Sequence, residues 1–315
     1  MKNKVICIVG ATASGKTKLS IELAKKINAE IISADSMQIY KKLDVATAKV
    51  TKEEMENIPH HIIDICDIDK RFSVADFKDM CYHEIDNILK KGKNVLIVGG
   101  TGLYLNAVIY DMQFDIQKKE EDYKNELITL AKKNGNEWLY NELLKVDPQT
   151  AKNIHMNNTK RIIRALEIAR NSNILKSEHM ELEKERLSNF SHPKYDFFVY
   201  CIDYPREELY KRINKRINIM IENGLLDEAK MVYDLNLPND TTCMQAIGYK
   251  EFFEYFKGNI TLQEAVDNLK KATRHYAKRQ MTWFKNKLEC NYLECYNDTD
   301  KMVQEIIRDS NILEK

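Results

Sequence analysis

The stretch "VICIVGATASGKT", Val5 to Thr17, decides the fold. A β-rich apolar run, Val5 to Val9, stops at Gly10. The spacing Gly10-x4-Gly15-Lys16-Thr17 follows, and "KLSIELAKKI" then sets Leu19, Leu23, Ala24 and Ile27 at helical intervals. Strand, glycine loop and helix in that order make a phosphate-binding loop rather than a bare turn. In such a loop backbone N–H groups wrap a phosphate, the helix N-terminus adds its positive end, and Lys16 adds a point charge. The expected cradle is Gly10, Thr12, Ala13, Ser14, Gly15, Lys16 and Thr17. The Thr17 hydroxyl suits a Mg2+ ligand, so magnesium is the expected cofactor.

Outward from the loop the chain alternates. "EIISADSMQIY" contains a second strand, Glu30 to Ala34, that ends on Asp35, and "PHHIIDICDI" is a third apolar run. "SVADFKDMCYHEIDNILKKG" reads as a helix with Ser73 and Asp76 as a capping box and Gly92 as its stop. "NVLIVGGTGLY" is another buried strand breaking into glycines, and "YDFFVYCIDYP" is a late one. Strands alternating with helices predict an α/β fold: a P-loop NTPase-like core with a parallel sheet flanked by helices. From about Asp115 to Ser191 the signals are helical, as in "EDYKNELITLAKKNG" and "TKRIIRALEIARNS". The expected domains are a core of 1–114 and 192–315 interrupted by a helical insertion of 115–191. After Pro205 only helices are expected.

Bulk properties exclude some classes. The 315 residues are 43% hydrophobic, enough for a sizeable core, and 31% charged with a net charge of +1. Any nucleic-acid contact must therefore come from a local basic patch. The seven cysteines form no CxxC pair, which argues against a zinc ribbon or a redox pair and suits a reducing cytoplasm. No stretch approaches the ~20 apolar residues of a membrane span. A monomeric cytoplasmic protein is expected, with no membrane partner.

The loop implies a phosphate ligand, not hydrolysis. NTPases usually place an acid at the end of another core strand, yet "NVLIVGGTGLY" ends in Gly99-Gly100-Thr101. The same glycines miss the GxGxxG spacing of a dinucleotide fold. Asp35 ends the second strand, at the sheet edge where ligands bind in open α/β folds. Its reading stays double: a turn residue, or a carboxylate facing the loop as general base or amine clamp. Ser36, Met37 and Gln38 follow it in a cluster rich in hydrogen-bonding groups. His60 and His61 are adjacent and point to opposite faces of a strand, which favours structural roles.

Two segments concentrate positive charge. "KKATRHYAKRQMTWFKNK" carries seven Lys and Arg residues with no acid, and aromatics are interleaved. "NNTKRIIRALEIAR" places Lys160, Arg161 and Arg164 near a helix start. Both suit phosphate contact. Arg212 and Arg216 are four apart and share a helix face, a spacing fit for anion clamps.

Together these pieces resemble the tRNA dimethylallyltransferases of bacterial type. The resemblance runs in order through "GATASGKT", "SADSMQIY" (Ser33–Tyr40), "PHHIID" (Pro59–Asp64), "FSVADF" (Phe72–Phe77) and "VGGTGLY" (Val98–Tyr104). It continues through "KRIIRALE" (Lys160–Glu167), "RINKRINIMIENGLLDE", "QAIGYKE" (Gln245–Glu251) and "YAKRQMTWF" (Tyr276–Phe284). It implies transfer of a dimethylallyl group from its diphosphate to the exocyclic amine of the adenosine 3′ of a tRNA anticodon. The loop then holds an isoprenoid diphosphate. The resemblance further implies that Asp35 takes or holds the amine proton, that Thr101 lines the channel opposite, and that Lys16 and Arg216 neutralise the leaving group. Ser36, Met37 and Gln38 would meet the extruded base. Contact with the tRNA anticodon stem-loop would run along Thr159, Lys160, Arg161, Ile162 and Ile163. Three positions depart from the family pattern: Ala11 and Val50 replace prolines, and Lys160 stands where glutamine is common. Two other readings share the loop, a small-molecule or nucleotide kinase and a non-enzymatic RNA-binding regulator.

Overall fold

Residues 2–114, 121–171, 175–188, 190–238, 241–294 and 297–314 are described by the computed structural model. Among them, strands β1 (Asn3–Gly10), β2 (Ala29–Ser33), β3 (His60–His61), β4 (Asn94–Gly99), β5 (Tyr195–Ile202) and β6 (Asn291–Leu293) form one sheet in the order β3-β2-β4-β1-β5-β6. Every pairing is parallel. β1 lies centrally, with Val5 in register with Val95 of β4 and Phe197 of β5. Val5 to Val9 are all fully buried, as a parallel strand covered on both faces requires.

The helices in chain order are α1 (Lys16–Ile27), α2 (Val74–Lys90), α3 (Gly102–Ile109), α4 (Glu121–Val146), α5 (Pro148–Lys152), α6 (Thr159–Asn171) and α7 (Lys176–Ser188). After β5 come α8 (Arg206–Glu222), α9 (Leu225–Asp234), the short α10 (Thr242–Gln245) and α11 (Phe253–Phe256), the long α12 (Leu262–Lys287), and α13 (Thr299–Ser310). α1 buries Leu19, Leu23, Ala24 and Ile27, the residues at helical spacing. The capping box at α2 is present: Ser73 accepts from the Asp76 N–H and the Asp76 carboxylate accepts from the Ser73 N–H. No described helix is long and apolar enough to cross a membrane.

The chain divides into two compact units, Met1–Met112 with His192–Lys315, and Gln113–Ser191. The first holds the sheet. The second is helical, with its own core of Leu127, Leu139, Leu143, Ile162 and Leu166. Within it the buried Asp147 caps α5 by accepting from the Thr150 N–H at 2.9 Å. The same carboxylate accepts the Ser177 N–H at 3.0 Å, which ties α5 to the start of α7.

Two strand expectations need correction. "PHHIIDICDI" contributes only His60 and His61 to the sheet. Ile62 (φ 60°) and Asp64 (φ 55°) take left-handed backbone, which turns the chain out of strand geometry despite its apolar pattern. The span after Pro205 is not all helical: Asn291–Leu293 pairs with β5 as an edge strand. Its three residues are too few to show an alternating pattern. The two histidines have separate structural partners. His60 Nδ1 lies 2.8 Å from the Ile58 carbonyl, while His61 bridges Glu30 at 2.8 Å and Glu84 at 2.9 Å.

Candidate active site

The phosphate loop joins β1 to α1 as its sequence requires. Gly15 has φ 87°, a left-handed conformation that L side chains resist. A Cβ at Gly10 would sit 2.8 Å from Ser14 Oγ and 3.2 Å from the Ile202 carbonyl. Ser14 Oγ is buried with no protein partner, an acceptor and donor aimed within the cradle. Lys16 Nζ donates to the Gly10 carbonyl at 3.0 Å and the Ala11 carbonyl at 2.8 Å. Burial, and then the Arg216 charge, pull the Lys16 ammonium down to about 8, with Asp35 opposing them.

Two strands away from β1, the end of β2 carries Asp35. Strand spacing puts these two ends about 10 Å apart. Asp35 Oδ1 accepts the N–H of Met37 at 2.9 Å and of Gln38 at 3.4 Å, so it does serve as a turn residue. Its charge also acts on Lys16 and Arg216. Both turn bonds fall on Oδ1. Between these ends lies β4, which ends on Gly99-Gly100-Thr101 with no acid. Thr101 stands beside the Asp35 turn: its Oγ1 accepts the Ser36 N–H at 3.0 Å and lies 3.3 Å from Ser36 Oγ. The Gln38 amide is fully engaged, its Nε2 on the Thr47 and Ala48 carbonyls and its Oε1 on Ser33. Met37 is partly buried against the core.

α8 brings two arginines to the loop from one face. Arg216 Nη1 lies 3.4 Å from Thr12 Oγ1, and Arg212 Nε donates to the Ala13 carbonyl at 2.9 Å. The Arg212 guanidinium rests 4.8 Å from the Tyr204 ring centre, which fixes its plane. Arg216 is half-buried, and desolvation lowers its pKa against the pull of Asp35. α12 locks the other side. Gln280, 5% exposed, accepts the Thr12 N–H at 2.9 Å and donates to the Gly100 carbonyl at 3.0 Å. One side chain thus bridges the loop and the β4 turn. A turn earlier on α12, Tyr276 is held near Thr101 and Gln280; burial and then the Asp35 charge push its phenol up, so it stays protonated.

A family model described as IPP transferase matches residues 38–287. A tRNA dimethylallyltransferase of Halalkalibacterium halodurans is 46% identical over 307 residues, 97% of this chain and 96% of the relative. This chain is a member of the tRNA dimethylallyltransferase family. The Bacillus subtilis relative of the same name is 45% identical over 93% of this chain and 91% of its own. The fold agrees with two solved structures. A full-length tRNA isopentenylpyrophosphate transferase from Bacillus halodurans superposes with TM-score 0.72 at 43% identity, covering 99% of each chain. A eukaryotic dimethylallyltransferase acting on tRNA gives 0.79 at 29% identity over 98% of this chain and 79% of its own.

In the helical unit, α6 carries the second basic segment. Thr159, Lys160 and Arg161 open the helix, with Lys160 and Arg161 exposed. Ile162 and Ile163 turn inward, 0% and 7% exposed, into that unit's core. Their side chains anchor the helix, and Thr159, Lys160 and Arg161 lie at its start. Burial, then Arg161 and Arg164, lower the Lys176 ammonium, so three cations crowd one patch of this unit. In the core unit two cations of the basic segment of α12 have partners within the chain: Arg274 donates to Asn214 at 2.8 Å and the exposed Lys285 pairs with Asp203 at 3.2 Å. Gln280 is a residue that sequence reasoning misses. Its only signal is a polar residue on the buried stripe Ala277, Gln280, Phe284.

Proposed function

We propose that this chain transfers the dimethylallyl group of dimethylallyl diphosphate to the exocyclic N6 of the adenosine 3′ of a tRNA anticodon. The products are N6-isopentenyladenosine and diphosphate. One observation carries the reading: a carboxylate, Asp35, two strands from a phosphate loop whose neighbouring strand ends without an acid. That spacing accommodates a substrate between proton acceptor and leaving group.

The diphosphate sits in the loop on backbone N–H groups, Ser14 Oγ, Lys16 and Arg216. The N6 lone pair attacks C1 of the donor. The C1–O bond breaks, and its electron pair stays on the diphosphate oxygen. Lys16 and Arg216 stabilise that developing charge from fixed positions in a desolvated site. The N6 proton passes to Asp35 Oδ2, the oxygen free of the Asx turn. The base reaches this point only when extruded, with Ser36, Met37 and Gln38 as its wall. The donors near the loop are neutral hydroxyls, a set that fits a Mg2+ keeping most of its waters and phosphate oxygens. Thr17 would hold that ion, and its charge would offset part of the diphosphate's. Thr159, Lys160 and Arg161 meet the phosphates of the anticodon stem-loop. The chain acts as a monomer in the cytoplasm.

Incubation with tRNA and dimethylallyl diphosphate, followed by mass spectrometry of digested nucleosides, tests this. Isopentenyl-adenosine is expected. Label entering tRNA only from γ-labelled ATP would instead assign a kinase, and wild-type RNA function in Lys16→Ala would assign a regulator.

A further inference from the structure

Glu228, on α9, takes no part in the chemistry above, yet four donors converge on its carboxylate. Oε2 accepts the backbone N–H of Asp44 at 2.7 Å and of Val45 at 2.8 Å; Oε1 accepts the N–H of Ala46 at 2.9 Å and the Tyr249 hydroxyl at 2.8 Å. Tyr249 is fully buried, and burial followed by the Glu228 charge pushes its phenol up, so it remains the donor. Three consecutive backbone N–H groups on one carboxylate fix the path of residues 44–46, because charged acceptors make the stronger hydrogen bonds. The segment is also met by Gly248, where a Cβ would lie 2.6 Å from the Ala46 Cβ. "GLLDE" and "QAIGYKE", motifs without a role in the reaction, thus grip one short loop with Glu228, Gly248 and Tyr249.

The next residues of that loop carry the effect onward. The Thr47 and Ala48 carbonyls accept from Gln38 Nε2 at 3.2 and 3.3 Å, and the Gln38 N–H reaches Asp35 Oδ1 at 3.4 Å. A continuous series runs from α9 through 44–48 to Gln38 and the Asp35 turn. Among the described residues, none of the hydrogen bonds in this series ends on the phosphate loop. We propose that Glu228 is a positioning residue for the acceptor base, acting through the 44–48 segment on Gln38 and leaving donor binding alone. This rests on the reading of Gln38 as part of the base-binding wall.

A double-mutant cycle on kcat/KM for tRNA tests it, with Glu228→Gln, Gln38→Ala and both together. Calorimetric Kd values for dimethylallyl diphosphate are measured alongside. Glu228→Gln keeps the shape but sets an NH2 group against N–H donors. Each single variant is expected to lose about tenfold or more in kcat/KM for tRNA. The double variant should be no worse than the poorer single, since both break one series. Donor Kd should stay within about twofold. Multiplying losses in the double variant, or a donor Kd that moves with kcat/KM, overturns the proposal. A Gln38→Ala enzyme of normal kcat/KM overturns the reading of Gln38 instead. If Glu228→Gln folds poorly, Tyr249→Phe takes its place in the cycle. It removes one of the four donors, and the same results support or overturn the proposal.

Discussion

In the proposed reaction the two oxygens of Asp35 have separate duties: Oδ1 holds the turn and Oδ2 takes the proton, so Asp35→Asn keeps the turn and loses the base. We expect kcat to fall by about 10²–10⁴ with tRNA Kd within a few-fold of wild type, checked by single turnover and filter binding. Lys16 gives a pH signature. Its ammonium titrates near 8 in the free protein, so it is charged below that pH and neutral above. Donor affinity is therefore full on the acid side and declines as pH rises through about 8. A profile of kcat/KM for the donor should show this limb, and Lys16→Arg should move it out of range, since guanidinium stays protonated. Both residues were legible in the sequence because their signals are local, a loop spacing and a strand-ending acid. Gln280 and Glu228 were not: their partners lie 268 and 182–184 residues away, and nothing beside them in the chain reports that.

Between elements, two of the three glycines of "VGGTGLY" are explained by α12, while a Cβ at Gly99 would meet the Ala34 carbonyl at 2.2 Å. A Cβ at Gly100 would meet Gln280 Nε2 at 2.3 Å, and one at Gly102 would meet Trp283 Cδ1 at 2.2 Å. Trp283 Nε1 donates to Asn106 at 2.9 Å, which holds its ring over the start of α3. The helix that carries "YAKRQMTWF" thus packs directly on backbone. Gly102→Ala should destabilise the protein by about 1–3 kcal/mol through this overlap, seen as a lower urea midpoint at unchanged slope. Periodicity showed the long elements well, β1, β4, β5, α1 and α2 among them. It failed where the chain is short or turned: β6 has three residues, and the Ile62 and Asp64 conformations end β3 within an apolar run. A hydrophobic pattern records burial, and a buried turn leaves the same record as a strand.

For the molecule as a whole, charge is balanced in sum and concentrated in patches. Binding of tRNA should therefore weaken steeply with salt despite the net charge of +1. Replacing Lys160 and Arg161 together by Ala should flatten the slope of log Kd against log salt, by about one for each phosphate no longer neutralised. Donor Kd should be unchanged. The two-part organisation was visible as a loss of strand signals. The side of α6 that faces its own core is its apolar stripe, Ile162, Ile163, Ala165 and Leu166, at helical spacing.

The bridge from Thr12 to Gln280 has a consequence for how the protein is made. The phosphate loop leaves the ribosome early, yet the side chain that joins it to the β4 turn is encoded 268 residues later. At synthesis rates of about 5–20 residues per second the loop waits some tens of seconds for its brace. Arg212 and Arg216 arrive in the same late interval. A nascent or C-terminally truncated chain therefore has the motif without the side chains that brace it.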